Sequence, residues 1–231
     1  MKRVSRGVYQ LEAAGFVNCY LLEGNMDLTL VDAGTANSAQ ALLEEIKDNG
    51  FKSKDIQRVV ITHAHADHAG GLRALLKDHR FKVYAHPKDI PALTGKASPP
   101  GFKGLRGFVH GFFHEQFLRW EPIDVALPAE RGGGIRGLAQ WQVVELPGHT
   151  RGSIGLYHPA GQILLCGDAL TNREGKLRLP AAELNEDPEA AKRTLADLAR
   201  MDCDLLCPGH GPVVRGGAFR HIEKLITGVR R

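Results

Sequence analysis

Strand-sized apolar runs alternating with segments of helical period predict a mixed α/β domain for this 231-residue chain. The runs are rich in Val, Ile and Leu and are bounded by Gly, Pro, Asn or Asp, the usual punctuation of strands. Between them apolar residues recur at three- and four-residue spacing, the mark of a helix with one buried face. A composition of 43% hydrophobic and 24% charged residues is that of an ordinary globular chain, and the length suits one domain over residues 1–231.

The chain begins Met1-Lys2-Arg3 and continues as alternating, strand-like sequence, with no apolar run ending in a cleavage site. Residues 17–22 and 28–31 read as strands joined by Glu23-Gly24-Asn25, a hairpin-type turn. After Val31-Asp32-Ala33-Gly34 the period changes: Ala39, Leu42, Leu43 and Ile46 share a helical face, and Gly50 stands where that helix would stop. Residues 56–61 form the next strand, Leu72, Leu75 and Leu76 mark a helix, and 81–85 returns to strand. From 88 to 137 no period holds. That segment carries Phe102, Phe108, Phe112, Phe113 and Phe117 with Gly132-Gly133-Gly134, and is expected to be a loop-rich insertion walling a substrate pocket. Strands resume at 141–146, 154–157 and 163–166. Asp187-Pro188-Glu189 opens a helix with an N-cap and a first-turn proline, and Leu195, Leu198 and Ala199 form its apolar face. Residues 205–207 are a last strand, and the tail from Gly216 is a final helix.

Several function classes find no support. The longest apolar runs fall far short of the roughly 18–20 residues that cross a bilayer, so no membrane association is expected. A net charge of +4 is mild and no dense basic block exists, so nucleic acid is not an expected partner. Cys19, Cys166, Cys203 and Cys207 are too scattered for a disulfide framework and are expected to be reduced, buried thiols in a cytoplasmic protein.

The chemistry concentrates in Thr62-His63-Ala64-His65-Ala66-Asp67-His68, an H-x-H-x-D-H cluster directly after an apolar strand. Imidazole nitrogens with a carboxylate oxygen suit Zn²⁺, and in mixed sites Fe or Mn. His63 and His65 project to the same side of an extended segment and can share one ion. Asp67 and His68, at the turn into the next helix, point to a second position. Three more candidates follow later strands beside glycine: His149 in Pro147-Gly148-His149, Asp168 in Cys166-Gly167-Asp168 and His210 in Pro208-Gly209-His210-Gly211. His79 and His221 lie in predicted helices and are expected to stand outside this set.

In this order along nearly the whole chain, these motifs resemble the metallo-β-lactamase-fold hydrolases, a glyoxalase II-like superfamily. The resemblance implies an αββα sandwich, two sheets face to face with helices outside and metals at one edge. It implies that His63, His65 and His149 bind one metal, that Asp67, His68 and His210 bind the other, and that Asp168 bridges the two. Asp32 matches the family's strand-end aspartate; it either accepts a hydrogen bond from a ligand imidazole or caps the turn at Gly34.

A pair of divalent ions, zinc first with Fe or Mn as options, would hold a bridging hydroxide as nucleophile. The expected activity is hydrolysis of a small carbonyl ester, thioester or lactone, with Asp67 and Asp168 as the catalytic carboxylates and Asp67 handing a proton to the leaving group. Asp168 argues against antibiotic hydrolysis, since true β-lactamases of the family lack it. Only 21 residues follow His210, too few for the glutathione-thioester-binding domain of glyoxalase II. Thr171 stands where many lactonases carry a tyrosine. Arg173 is either solvated or a receiver of a substrate carboxylate. The alternative is a persulfide-dioxygenase-like oxidoreductase with a single iron.

Overall fold

The computed structural model describes residues 1–101 and 121–229. β1 (Lys2–Ser5), β2 (Val8–Leu11), β3 (Cys19–Glu23), β4 (Leu28–Val31), β5 (Ile56–Val60), β6 (Lys82–Ala85) and β7 (Leu127–Pro128) make a seven-stranded sheet in sequence order. Pairing is antiparallel through β4 and parallel from β4 to β7. The change has a cause in the connections. Short turns join the first strands, whereas α1 (Ala39–Asp48) and then α2 (Ala66–Ala69) with α3 (Leu72–Asp78) supply the long crossovers that parallel strands require.

A second, four-stranded sheet holds β8 (Gln142–Glu145), β9 (Ile154–His158), β10 (Ile163–Gly167) and β13 (Leu205–Pro208), in the order β13-β10-β9-β8. β13 is parallel to β10 because α5 (Pro188–Leu198) carries the chain back. α5 begins as its sequence predicts: Asp187 caps it, accepting from the amides of Glu189 and Ala190. A hairpin of β11 (Thr171–Arg173) and β12 (Lys176–Arg178) forms a separate two-stranded sheet, and α6 (Ala218–Val229) ends the described chain.

Three apolar layers explain why the strands read as near-continuous apolar runs. Along β3, Cys19 and Leu21 face one cluster while Tyr20 and Leu22 face another. The first cluster packs the outer face of the large sheet against Leu42 and Ile46 of α1 and Leu72 and Leu75 of α3. The second lies between the sheets, where Val31, Val60 and Tyr84 meet Leu156, Leu165 and Cys207. The third packs Leu164 and Leu206 against Leu195 and Leu198 of α5 and Ile222 of α6. Both sheets are therefore buried on both faces, and the layers run helix, sheet, sheet, helix, the expected αββα sandwich. Among the described residues no helix is long and apolar enough to cross a membrane.

The segment 88–137 differs from its reading as an insertion at both flanks. Residues 90–93 form a short helix, α4 (Ile90–Leu93), whose Ala92 and Leu93 enter the first cluster with Ile123. β7 extends the large sheet, and Ala129 and Ile135 enter the inter-sheet core. These pieces are too short to show a period of their own, and tertiary packing defines them. Phe102, Phe108, Phe112, Phe113 and Phe117 lie in 102–120, outside the described residues.

Candidate metal centre

Five strands deliver the site at their C-terminal ends. Asp32 follows β4, Thr62 to His68 follow β5, His149 follows β8, Asp168 follows β10 and His210 follows β13. Main-chain bonds hold the two sheets' loops together, from Ile154 N to Thr62 O (2.9 Å) and from Asn18 N to Gly209 O (2.7 Å). The 208–212 loop is braced further: the Asn18 side-chain amide donates to the carbonyls of Pro208 (2.9 Å) and Gly211 (2.6 Å), and the Tyr20 hydroxyl donates to Pro208 O (2.7 Å).

All seven residues named from the sequence converge. One ligand atom from each of His63, His65 and His149 lies within 4.8 Å of the others, and the same holds for Asp67, His68 and His210 and for His63, His68 and Asp168. His65 Nδ1 and His149 Nε2 face each other at 2.9 Å. His210 Nε2 is 3.4 Å from Asp67 Oδ2 and 3.4 Å from His68 Nε2. Asp168 sits between the clusters, with carboxylate oxygens 3.4 Å from His68 Nε2, 3.6 Å from His149 Nε2 and 3.2 Å from His210 Nε2. His210 is partly exposed and the other six are buried.

The outer partners fix the ring orientations. His68 Nδ1 donates to Asp32 Oδ2 (2.8 Å), and Asp32 also accepts from the amide and hydroxyl of Thr62, so the imidazole reading of Asp32 is the one observed. An acceptor that can only accept sets the tautomer and leaves His68 Nε2 turned to the cluster. His210 Nδ1 donates in the same way to Phe16 O (2.9 Å). Asp32 adopts φ +61°, a left-handed backbone that aspartate tolerates better than most residues.

Electrostatics divide the centre. Burial, followed by the neighbouring His68, His149 and His65 rings, pushes His63 well below its usual value, and burial lowers His149 as well. Burial also acts to lower His68, yet Asp67, Asp32 and Asp168 outweigh it and carry the ring up to about 9. For His210 burial is again overcome, by Asp168 and Asp67, and the ring rises to about 11. Burial would raise Asp168, but His210, His68 and His149 hold it well below the usual carboxylate range. The buried carboxylates thus hold positive charge around themselves.

This donor set fits divalent metal. Neutral imidazoles and carboxylates are the common ligands of Zn²⁺, and tetrahedral bonds of about 2.0–2.1 Å put neighbouring donor atoms about 3.3 Å apart. The separations of 3.2–3.6 Å around Asp168 match that spacing. His63 Nε2 is buried without a hydrogen-bond partner among the described residues, which is costly for a group facing only protein.

Two residues escaped the sequence reading. Asp89 is buried and bonds to Ala64 and Thr150, between the histidine loops; its one signal was an Asp-x-Pro helix start inside a segment without period. Phe16 is 60% exposed and stacks on His210, ring centroids 5.9 Å apart and planes at 5°; a lone apolar residue before Val17 gives no signal. Arg173 is exposed on β11.

The model of the metallo-beta-lactamase superfamily matches residues 13–210, from the β2–β3 loop to His210. Over 207 residues the chain is 30% identical to the probable metallo-hydrolase YflN of Bacillus subtilis, covering 83% of this chain and 78% of that protein. The metallo-beta-lactamase family protein TTHA1429 of Thermus thermophilus superposes with a TM-score of 0.72 at 22% identity, over 99% of this chain and 81% of that one. TTHA1623 in a di-iron-bound form superposes at 0.64 with 28% identity, over 86% and 89%. With the αββα layers and the strand-end histidines already in place, the chain belongs to the metallo-beta-lactamase superfamily and is a metal-dependent hydrolase of that fold.

Proposed function

We propose that the chain is a dinuclear hydrolase of a small carbonyl ester, thioester or lactone. The carrying observation is Asp168, whose carboxylate stands 3.2–3.6 Å from nitrogens of His68, His149 and His210 and so touches both clusters. His63, His65 and His149 would hold one divalent ion and Asp67, His68 and His210 the other, with Asp168 shared. When bound, such ions lower the pKa of water toward about 7 and polarise a carbonyl oxygen. The donor set favours zinc, and the di-iron form of TTHA1623 keeps iron in view.

The protein's own groups do the rest. Asp32 holds His68 in one tautomer, and Phe16 O does so for His210. Asp67, at the start of α2, would carry a proton to the leaving group. Phe16 presents an apolar ring beside His210, where an acyl or leaving group with an apolar substituent would pack. A small molecule is the expected partner. The buried, free thiols of Cys19, Cys166, Cys203 and Cys207 suit a reducing compartment, and we assign the cytoplasm.

The test is elemental analysis of protein purified without added metal, followed by a panel of lactones, thioesters and aryl esters. Two ions per chain and turnover on one of these classes are expected. One iron with thiol-dependent oxygen uptake would sink the hydrolase reading. His65→Ala should lose metal and turnover together; a variant keeping full esterase turnover would place the site elsewhere.

A further inference from the structure

Asp89 occupies the N-cap position of α4, yet its side chain makes no cap bond. An aspartate there ordinarily accepts from the second or third amide of its helix. Here the carboxylate is turned inward and buried. Its Oδ2 accepts from Ala64 N at 2.8 Å and from Thr150 Oγ1 at 3.0 Å. Its Oδ1 lies so close to Gly152 that a Cβ at that position would collide with it, so the backbone there must be glycine for the carboxylate to fit.

The partners give these bonds their meaning. Ala64 separates His63 from His65, and Thr150 follows His149. The first pair hangs from β5 of the large sheet and His149 from β8 of the small one. One carboxylate therefore clamps the two loops that carry the first cluster, and among the described residues its hydrogen bonds reach neither His68 nor His210. Thr150 Oγ1 is also 3.0 Å from Ser153 Oγ, which fixes the hydroxyl's rotamer toward Asp89. Asp32 holds the other cluster through His68, so each cluster has its own carboxylate.

We propose that Asp89 is a positioning residue for the His63, His65 and His149 cluster, setting the separation of its two loops and hence that cluster's metal affinity. This rests on the metal-centre reading above. Loss of an outer partner typically lowers metal affinity about 10–100-fold. Asp89→Ala should weaken one of two bound ions by that factor and leave the other unchanged. Asp89→Asn, which keeps an acceptor oxygen for Ala64 or Thr150, should fall between Ala and the parent protein. Thr150→Val, of the same shape but without the hydroxyl, should weaken the same ion by a smaller factor and serves if Asp89→Ala does not fold.

The experiment titrates metal-free full-length protein with Co²⁺ and follows its visible absorption. His149→Ala and His210→Ala supply reference spectra for loss of the first and second ion. The expected result is that Asp89→Ala and Thr150→Val, at cobalt concentrations that saturate the parent twice, show the spectrum of His149→Ala. A lowered melting temperature with both cobalt affinities intact would overturn the proposal, because Asp89 would then be bracing the fold between the two loops and nothing more. Equal weakening of both ions would overturn it too. A parent protein that takes up no cobalt would overturn the metal-centre reading itself, a result plainly different from either.

Discussion

Burial pushes His63 and His149 toward the neutral imidazole, whereas His68 and His210, set around the same Asp168 carboxylate, are carried up to about 9 and about 11 by the carboxylates beside them. The rings are chemically alike, and their surroundings make the difference. In the first cluster burial lowers His63 and His149, the rings of His68, His149 and His65 lower His63 further, and Asp89 accepts from the backbone beside them. The second is interleaved with Asp32, Asp67 and Asp168, so its charge resides in carboxylates that require a cation. One cluster is therefore ready to donate lone pairs near neutral pH, and the other must first release protons.

Asp168 is the residue on which the contrast depends, and its removal should have the largest effect. Asp168→Ala should strip metal from both positions and lower kcat/KM by more than the roughly 100-fold typical of losing an outer partner. Metal content and kinetics measured on one sample check this. Loss of one ion alone would show that Asp168 belongs to a single cluster.

Acidity should separate the clusters next. In the metal-free protein the raised His68 and His210 stabilise the fold below about pH 6.5, and that stability is lost as pH rises through about 9 and then about 11. Metal entering the second cluster at pH 7–8 must displace both protons, so its log affinity should climb by about two per pH unit. The first cluster, with His63 and His149 already neutral, should show a slope near zero over that range. Calorimetry in buffers of different protonation enthalpy reads the released protons directly. Equal slopes for the two ions would remove the distinction.

Asp32→Asn should act on one cluster only. The new amide would donate toward His68 Nδ1, where the carboxylate now accepts, and favour the tautomer that carries hydrogen on Nε2. Once the ring has released the proton that charges it, that hydrogen would still cover the Nε2 lone pair a second ion needs. The expected cost is about 10–100-fold in affinity for the second ion, with the first unchanged. The pair Asp32→Asn and Asp89→Ala thus asks whether the two outer carboxylates serve separate ions.

How much of this was legible in the sequence depended on whether a residue's partners were local. The strands were readable because double-sided burial leaves apolar runs such as those at β10 and β13, and α5 announced itself through Asp187 and Pro188. The histidines were readable because a strand end is a local feature and His63 to His68 are adjacent in sequence. Asp89 was not, since its meaning lies in bonds to Ala64 and Thr150, 25 and 61 residues away. Phe16 was hidden for the same reason, as it lies 194 residues from the His210 ring it stacks on. The flanks of 88–137 were misread because α4 and β7 have only four and two residues, too few to display a period.

The smallest expected effect limits the claim that position, and not histidine itself, makes the centre. His79 follows the last turn of α3 and is partly exposed, and His221 lies exposed on α6. Neither faces a carboxylate of the cluster among the described contacts, so neither should alter either ion's affinity. His79→Ala and His221→Ala should keep the parent's metal content, its pH slopes and its turnover, with stability changed by no more than about 0.5 kcal/mol. The comparison with His68→Ala, which removes a ring bonded to Asp32 and facing Asp168, then isolates what the strand ends contribute. A loss of metal in His221→Ala would mean that the second cluster draws on α6, and the boundary between the two clusters would have to be redrawn.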